Sequence, residues 1–134
     1  MVLMSVAQHA AAASMMGCEK RFLLLYFTAK WVPGCTAFTH KLKQFMQRHG
    51  GHCETMFVTL DKTNADFDDM RQRVPWWSIN YDNVDTIQAL VSAFRVTDAP
   101  TLVVLEPATG QLIDENVAPL MNLSLTNIYE RWVR

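Results

Sequence analysis

The residues best able to do chemistry are gathered in Trp31-Val32-Pro33-Gly34-Cys35. A thiol where a strand turns into a helix is the setting of redox C-x-x-C sites. There the helix N-terminus offers unpaired N–H groups and a partial positive charge that stabilise a thiolate. Val32 occupies the position of the first cysteine, so Cys35, the second, is what remains. A valine can do no nucleophilic chemistry. Cys35 has two readings: a small buried hydrophobe on the inner side of its helix, or a residual thiol open to mixed disulfide formation or glutathionylation. A dithiol mechanism would need Cys18 or Cys53 to lie within about 7 Å of it, Cα to Cα. His49-Gly50-Gly51-His52-Cys53 groups three potential ligands around a helix stop, a weak case for a metal. No metal and no other cofactor is expected.

The elements that must position this turn are legible on either side of it. Phe22-Leu23-Leu24-Leu25-Tyr26-Phe27 reads as a short strand buried on both faces. After the turn, Phe38, Leu42, Phe45 and Met46 recur at helical spacing, which predicts a helix over about 35–48 that stops at Gly50-Gly51. Thr55 to Leu60 alternates as a second strand, and Thr63-Asn64-Ala65-Asp66 has capping-box form. The helix it opens carries Phe67, Met70 and Val74 inward and ends at Pro75. A loop with Trp76 and Trp77 comes next. Asp85 is expected to cap the next helix, whose stripe is Ile87, Leu90, Val91 and Phe94.

Asp98-Ala99-Pro100 leads into the strand Thr101 to Leu105, and Pro107-Ala108-Thr109-Gly110 turns the chain back through Gln111-Leu112-Ile113. A last helix over about 123–133 places Leu125, Ile128, Tyr129 and Trp132 on one face. The order β-α-β-α-α-β-β-α describes an α/β chain. Its first turn opens at the carboxyl end of strand one, where such sheets bind ligands.

Composition sets the outer bounds. At 134 residues, with 50% apolar and 19% charged, the chain has room for one core, and a single domain over 1–134 is expected. The net charge of −1 gives no electrostatic case for nucleic acid or an anionic membrane. Three cysteines do not look like a secreted disulfide framework, so a reducing compartment is expected: cytoplasmic, with a mitochondrial one left open. No apolar run approaches the roughly 18 residues that span a bilayer. Met1 to Gly17 contains no Lys or Arg, and Gln8 and His9 interrupt it, which fits neither a secretory signal nor an Arg-rich transit peptide. Residues 1–20 are the least readable part, with Ala10 to Ala13 favouring helix. A monomer is expected.

Four motifs in order carry a family resemblance: Tyr26-Phe27-Thr28-Ala29-Lys30-Trp31 with the x-P-x-C after it, Phe38-Thr39, Val74-Pro75-Trp76, and Ala99-Pro100-Thr101-Leu102. Over roughly residues 22–115 the chain resembles the tryparedoxin/nucleoredoxin branch of the thioredoxin superfamily. The resemblance implies a thioredoxin fold, a central mixed sheet flanked by helices on both faces. It also implies thiol–disulfide exchange, which in tryparedoxins relays electrons from trypanothione to peroxidases. In the family's W-C-P-P-C the first cysteine is exposed and attacks, while the second is largely shielded and resolves the mixed disulfide. Cys35 matches the second. Gly34 replaces the second proline, Thr36 a basic residue, and His40 a helix-kinking proline.

The resemblance further implies that Trp31 and Trp76 flank a substrate groove, together with Val32, Pro33 and Gly34. It makes Pro100 the cis-proline facing the turn, with the backbone at Ala99 offering strand-like hydrogen bonds. Two function classes remain open. One is a redox-degenerate module that binds a peptide, a low-molecular-weight thiol or a protein partner such as a peroxidase. The other is a limited thiol–disulfide oxidoreductase that uses Cys35 with Cys18 or Cys53.

Overall fold

The computed structural model describes residues 21–107, 111–114, Tyr129 and Trp132. In chain order the elements are β1 (Phe22–Thr28), α1 (Cys35–His49), β2 (Cys53–Thr59), α2 (Asn64–Arg73), β3 (Trp77–Ser78), α3 (Val84–Ala93), β4 (Thr101–Leu105) and β5 (Leu112–Asp114). Tyr129 and Trp132 are helical. The remainder of the expected last helix, the tip Ala108 to Gly110, and Cys18 with the N-terminal segment lie outside the described residues.

The strands form one mixed sheet in the order β3-β2-β1-β4-β5. β1 pairs parallel with β2 and antiparallel with β4. An apolar run without alternation is what a central strand covered on both faces requires, and every residue of β1 and of β4 is buried. Phe22, Leu24 and Tyr26 join Phe38, Leu42 and Phe45 of α1, Phe67 and Met70 of α2, and Trp132. Leu23, Leu25 and Phe27 point the other way, to Ile87 and Leu90 of α3. Both faces of the sheet are therefore covered by helices, as the thioredoxin fold implies.

The helix ends obey local chemistry. Thr63 is extended (φ −134°, ψ 150°) and its hydroxyl accepts from the Asp66 N–H at 3.2 Å. The Asp66 carboxylate instead faces the Lys30 ammonium, 3.7 Å away, so half of the expected capping box is accounted for. Losing that cap costs about 1 kcal/mol in comparable helices. Thr63→Ala is accordingly expected to lower the urea midpoint by that equivalent with the slope unchanged.

Two expectations are corrected. The cap of α3 is Asn83, whose N–H closes a turn onto the Asn80 carbonyl at 3.0 Å, and Asp85 lies in the first helical turn. The turn before the helix fixes the start earlier than the acidic residue suggests. The segment with the paired tryptophans is not wholly loop: Trp77 and Ser78 pair parallel with Met56 and Phe57, a ladder too short to leave a periodicity in sequence.

Candidate functional site

β1 delivers the chain to the turn, and three hydrogen bonds shape the path into α1. The Val32 N–H donates to the Ala29 carbonyl and the Cys35 N–H to the Val32 carbonyl, both at 3.3 Å. The Phe38 N–H then donates to the Gly34 carbonyl at 3.0 Å, opening the helix. Gly34 sits at φ 91°, ψ −22°, in the left-handed region. A Cβ there would meet nothing within 4 Å, so the dihedral rather than space favours glycine. A proline, whose ring holds φ at about −65°, cannot make this turn.

Within the turn, Trp31 is 54% exposed, Val32 half-buried, and Pro33 and Gly34 exposed. Cys35, the first residue of α1, is 1% exposed. Its carbonyl accepts from the Tyr26 hydroxyl at 3.1 Å, and the same hydroxyl lies 2.7 Å from Thr39 Oγ1. The Trp76 ring meets the Tyr26 ring edge-on at 6.2 Å, so Tyr26 ties Trp76 to the first turn of α1. Trp76 is half-buried, whereas its neighbour Trp77 is the exposed one of the pair at 47%.

Two further segments reach the same end of the sheet. The peptide Ala99-Pro100 is cis. Phe27 pairs with Thr101, so one more step of the antiparallel register sets Pro100 opposite Thr28, beside the turn. At the end of β2, the Leu60 N–H donates to the Thr28 carbonyl at 2.9 Å and the Lys30 N–H donates to Asp61 Oδ1 at 2.7 Å. The Thr59 hydroxyl donates to Asp61 Oδ2 at 3.1 Å. Lys62 places its ammonium over the Trp31 ring, 4.9 Å from the centroid. Asp61 and Lys62 were not singled out from sequence. Polar residues directly after a strand parallel to β1 emerge at the same edge, and it is the β1–β2 pairing that brings these two there.

Electrostatics here are governed by burial. Burial pushes the Asp61 carboxyl above the usual range, against the Lys30 N–H and Thr59 hydroxyl it accepts from. Burial likewise pushes the Tyr26 phenol up to about 12, against the lowering effect of Thr28 and Thr39. Because the folded state holds this proton more tightly, the stability that depends on it is complete below pH 10 and is lost as pH rises through about 12. Two pH units correspond to about 2.7 kcal/mol. Urea unfolding between pH 9 and 12 is expected to show this alkaline loss, and Tyr26→Phe to flatten it.

The thiols do not converge. Cys53 is buried and pairs with Phe22, at the far end of β1 from the turn. The seven residues of β1 rise about 3.3 Å each, so roughly 20 Å separates that end from the turn. Cys53 therefore cannot resolve a disulfide at Cys35, which corrects one arm of the limited-oxidoreductase reading. Neither Cys35 nor Cys53 forms a disulfide among the described residues. Among the described residues no group of three His, Cys, Asp or Glu side chains is arranged to hold a metal ion.

The thioredoxin-like family model matches residues 20–111. A tryparedoxin of Trypanosoma brucei brucei is 30% identical over 113 residues, spanning 83% of this chain and 76% of that protein. Probable nucleoredoxin 2 of Oryza sativa subsp. japonica is 31% identical over 111 residues, 78% of this chain but 27% of that much longer protein. Among solved structures, tryparedoxin II from C. fasciculata superposes with a TM-score of 0.76 at 27% identity, covering 81% of this chain and 72% of that one. A tryparedoxin II complexed with glutathionylspermidine gives 0.73 at 28% identity, covering 82% and 75%.

Proposed function

Since the chain belongs to the thioredoxin-like family, with tryparedoxins and nucleoredoxins as its relatives, we propose that it is a redox-degenerate member that binds a thiol compound or a protein partner without turning it over. One observation carries this reading. The position from which a thiolate would attack is Val32, while Cys35 is 1% exposed with its backbone tied to Tyr26. The groove that remains needs no thiol at 32. Trp31, Pro33 and Gly34 are exposed beside the cis Ala99-Pro100 peptide, and an exposed indole next to an apolar turn is a good contact platform.

The reading is tested with a disulfide substrate and dithiothreitol or trypanothione as donor. Reductase activity is expected at the background without protein, and turnover comparable to a C-P-P-C relative would overturn it. Binding is followed separately by tryptophan fluorescence, using glutathionylspermidine as the probe because a related structure holds it. Trp31→Ala is expected to abolish the response. It should leave the unfolding midpoint within about 0.5 kcal/mol, as for other exposed side chains.

A further inference from the structure

α3 ends in a paired hydrogen-bond stop. The Val96 N–H donates to the Val91 carbonyl at 2.9 Å and the Arg95 N–H to the Ser92 carbonyl at 3.3 Å. This is the Schellman arrangement, in which the residue after the cap adopts a left-handed conformation and is usually glycine. Here it is Arg95, at φ 53°, the one non-glycine residue with positive φ among those described. A side chain held where glycine fits with less strain points to a use for that side chain.

Arg95 lines a cavity of about 530 Å³ together with Phe94, Thr97, Asp98, Thr101 and Leu112. That volume is typical of small-molecule sites. The Thr101 hydroxyl donates to the Asp98 carbonyl at 2.8 Å, closing a loop over Ala99-Pro100. Thr101 continues the β4 face of Val103 and Leu105, which packs against α3. The cavity thus lies across the sheet from α1 and its turn. The ion pairs among the described residues involve Lys30, Arg71 and Arg73 with Asp66, Asp68 and Asp69, so neither Arg95 nor Asp98 is neutralised by a partner there.

A guanidinium and a carboxylate on one rim, neither in an ion pair among the described residues, suit a ligand that carries both charges. The guanidinium fork binds a carboxylate in bidentate fashion, Asp98 accepts from an ammonium, and Phe94 and Leu112 offer apolar wall to the carbons between. We propose that this cavity binds the zwitterionic α-amino-acid headgroup of a small molecule, either a free amino acid or the γ-glutamyl end of a thiol such as glutathione. The site stands apart from the Trp31 to Cys35 groove and needs no redox step.

The test is amide chemical-shift titration of the full chain with L-glutamate, glutathione and S-methylglutathione, with propionate and ethylammonium as singly charged controls. Saturable shifts are expected at 93–98, Thr101 and Leu112 for the zwitterions and not for the controls. Preference for glutathione over glutamate assigns a γ-glutamyl thiol, and equal affinity assigns the amino-acid headgroup alone; both support the site. Arg95→Gly should weaken binding by about tenfold or more while raising the thermal midpoint, because glycine relaxes the left-handed position. Asp98→Asn should weaken it as well. Unsaturable shifts, equal binding by propionate, or an Arg95→Gly variant that binds as well as the parent would each overturn the proposal. Shifts confined to residues 31–35 would also overturn it while leaving the groove reading intact.

Discussion

Val32→Cys is expected to raise disulfide reductase turnover at least tenfold above the parent, a barrier change of about 1.4 kcal/mol, yet to leave it well short of a C-P-P-C enzyme. The gain comes from placing a thiol just before α1, where N–H groups and the helix dipole favour thiolate, with Cys35 one turn along to resolve it. Val and Cys are similar in size, so the half-buried position need not be overpacked. The shortfall comes from Gly34: its φ of 91° is a turn that W-C-P-P-C cannot adopt, so the new sulfur leaves the chain on a differently shaped backbone. Val32→Cys with Gly34→Pro tests that reason, since proline must pull the turn back to negative φ. A further rise in the double variant is the expected result. If Val32→Cys forms a disulfide with Cys35 but reduces nothing, the groove itself has changed and the inherited substrate class should be abandoned.

Phe38→Ala is expected to cost about 3–5 kcal/mol of stability, the range for truncating a large buried aromatic. Phe38 is fully buried on the inner face of α1, and its ring lies 5.3 Å from that of Tyr26. The cavity would open beside the Tyr26 ring, whose hydroxyl holds the Cys35 carbonyl. Domains of this size have about 5–15 kcal/mol in total, so the variant should unfold at a much lower urea concentration. Trp31→Ala, in the turn ahead of the same helix but exposed, should barely move that midpoint. A stability loss for Trp31→Ala as large as that for Phe38→Ala would mean the indole is part of the core, contrary to its position in the structure.

Most of the fold could be read because each signal was local and repeated. Phe22 to Phe27 announced a doubly covered strand, and Phe38, Leu42 and Phe45 announced the inner face of α1. Thr63 marked its own helix. β3 could not be read, because two residues carry no period and the pairing of Trp77 with Met56 is a tertiary fact. The start of α3 was misplaced because Asn83 and Asp85 are both acceptable cap types and the deciding contact, Asn83 to Asn80, lies upstream. At the site, Trp31 to Cys35 and Ala99-Pro100 were legible as motifs. Asp61 and Lys62 were not, since their meaning depends on the parallel β1–β2 register that carries them to the turn. Arg95 was equally silent, because a left-handed φ at an arginine leaves no mark in composition or periodicity.

The placement of β1 in the middle of the sheet has a consequence for the nascent chain. Its first neighbour, β2, comes soon after α1, but its second, β4, begins only at Thr101. Until then one flank of Phe22–Thr28 presents unpaired N–H and C=O groups along an apolar strand, the kind of edge that recruits other chains. The same holds for any product cut short before Thr101. Such fragments should aggregate even though they contain the whole Trp31 to Cys35 turn, and the turn should become accessible in soluble form only once β4 has closed that flank.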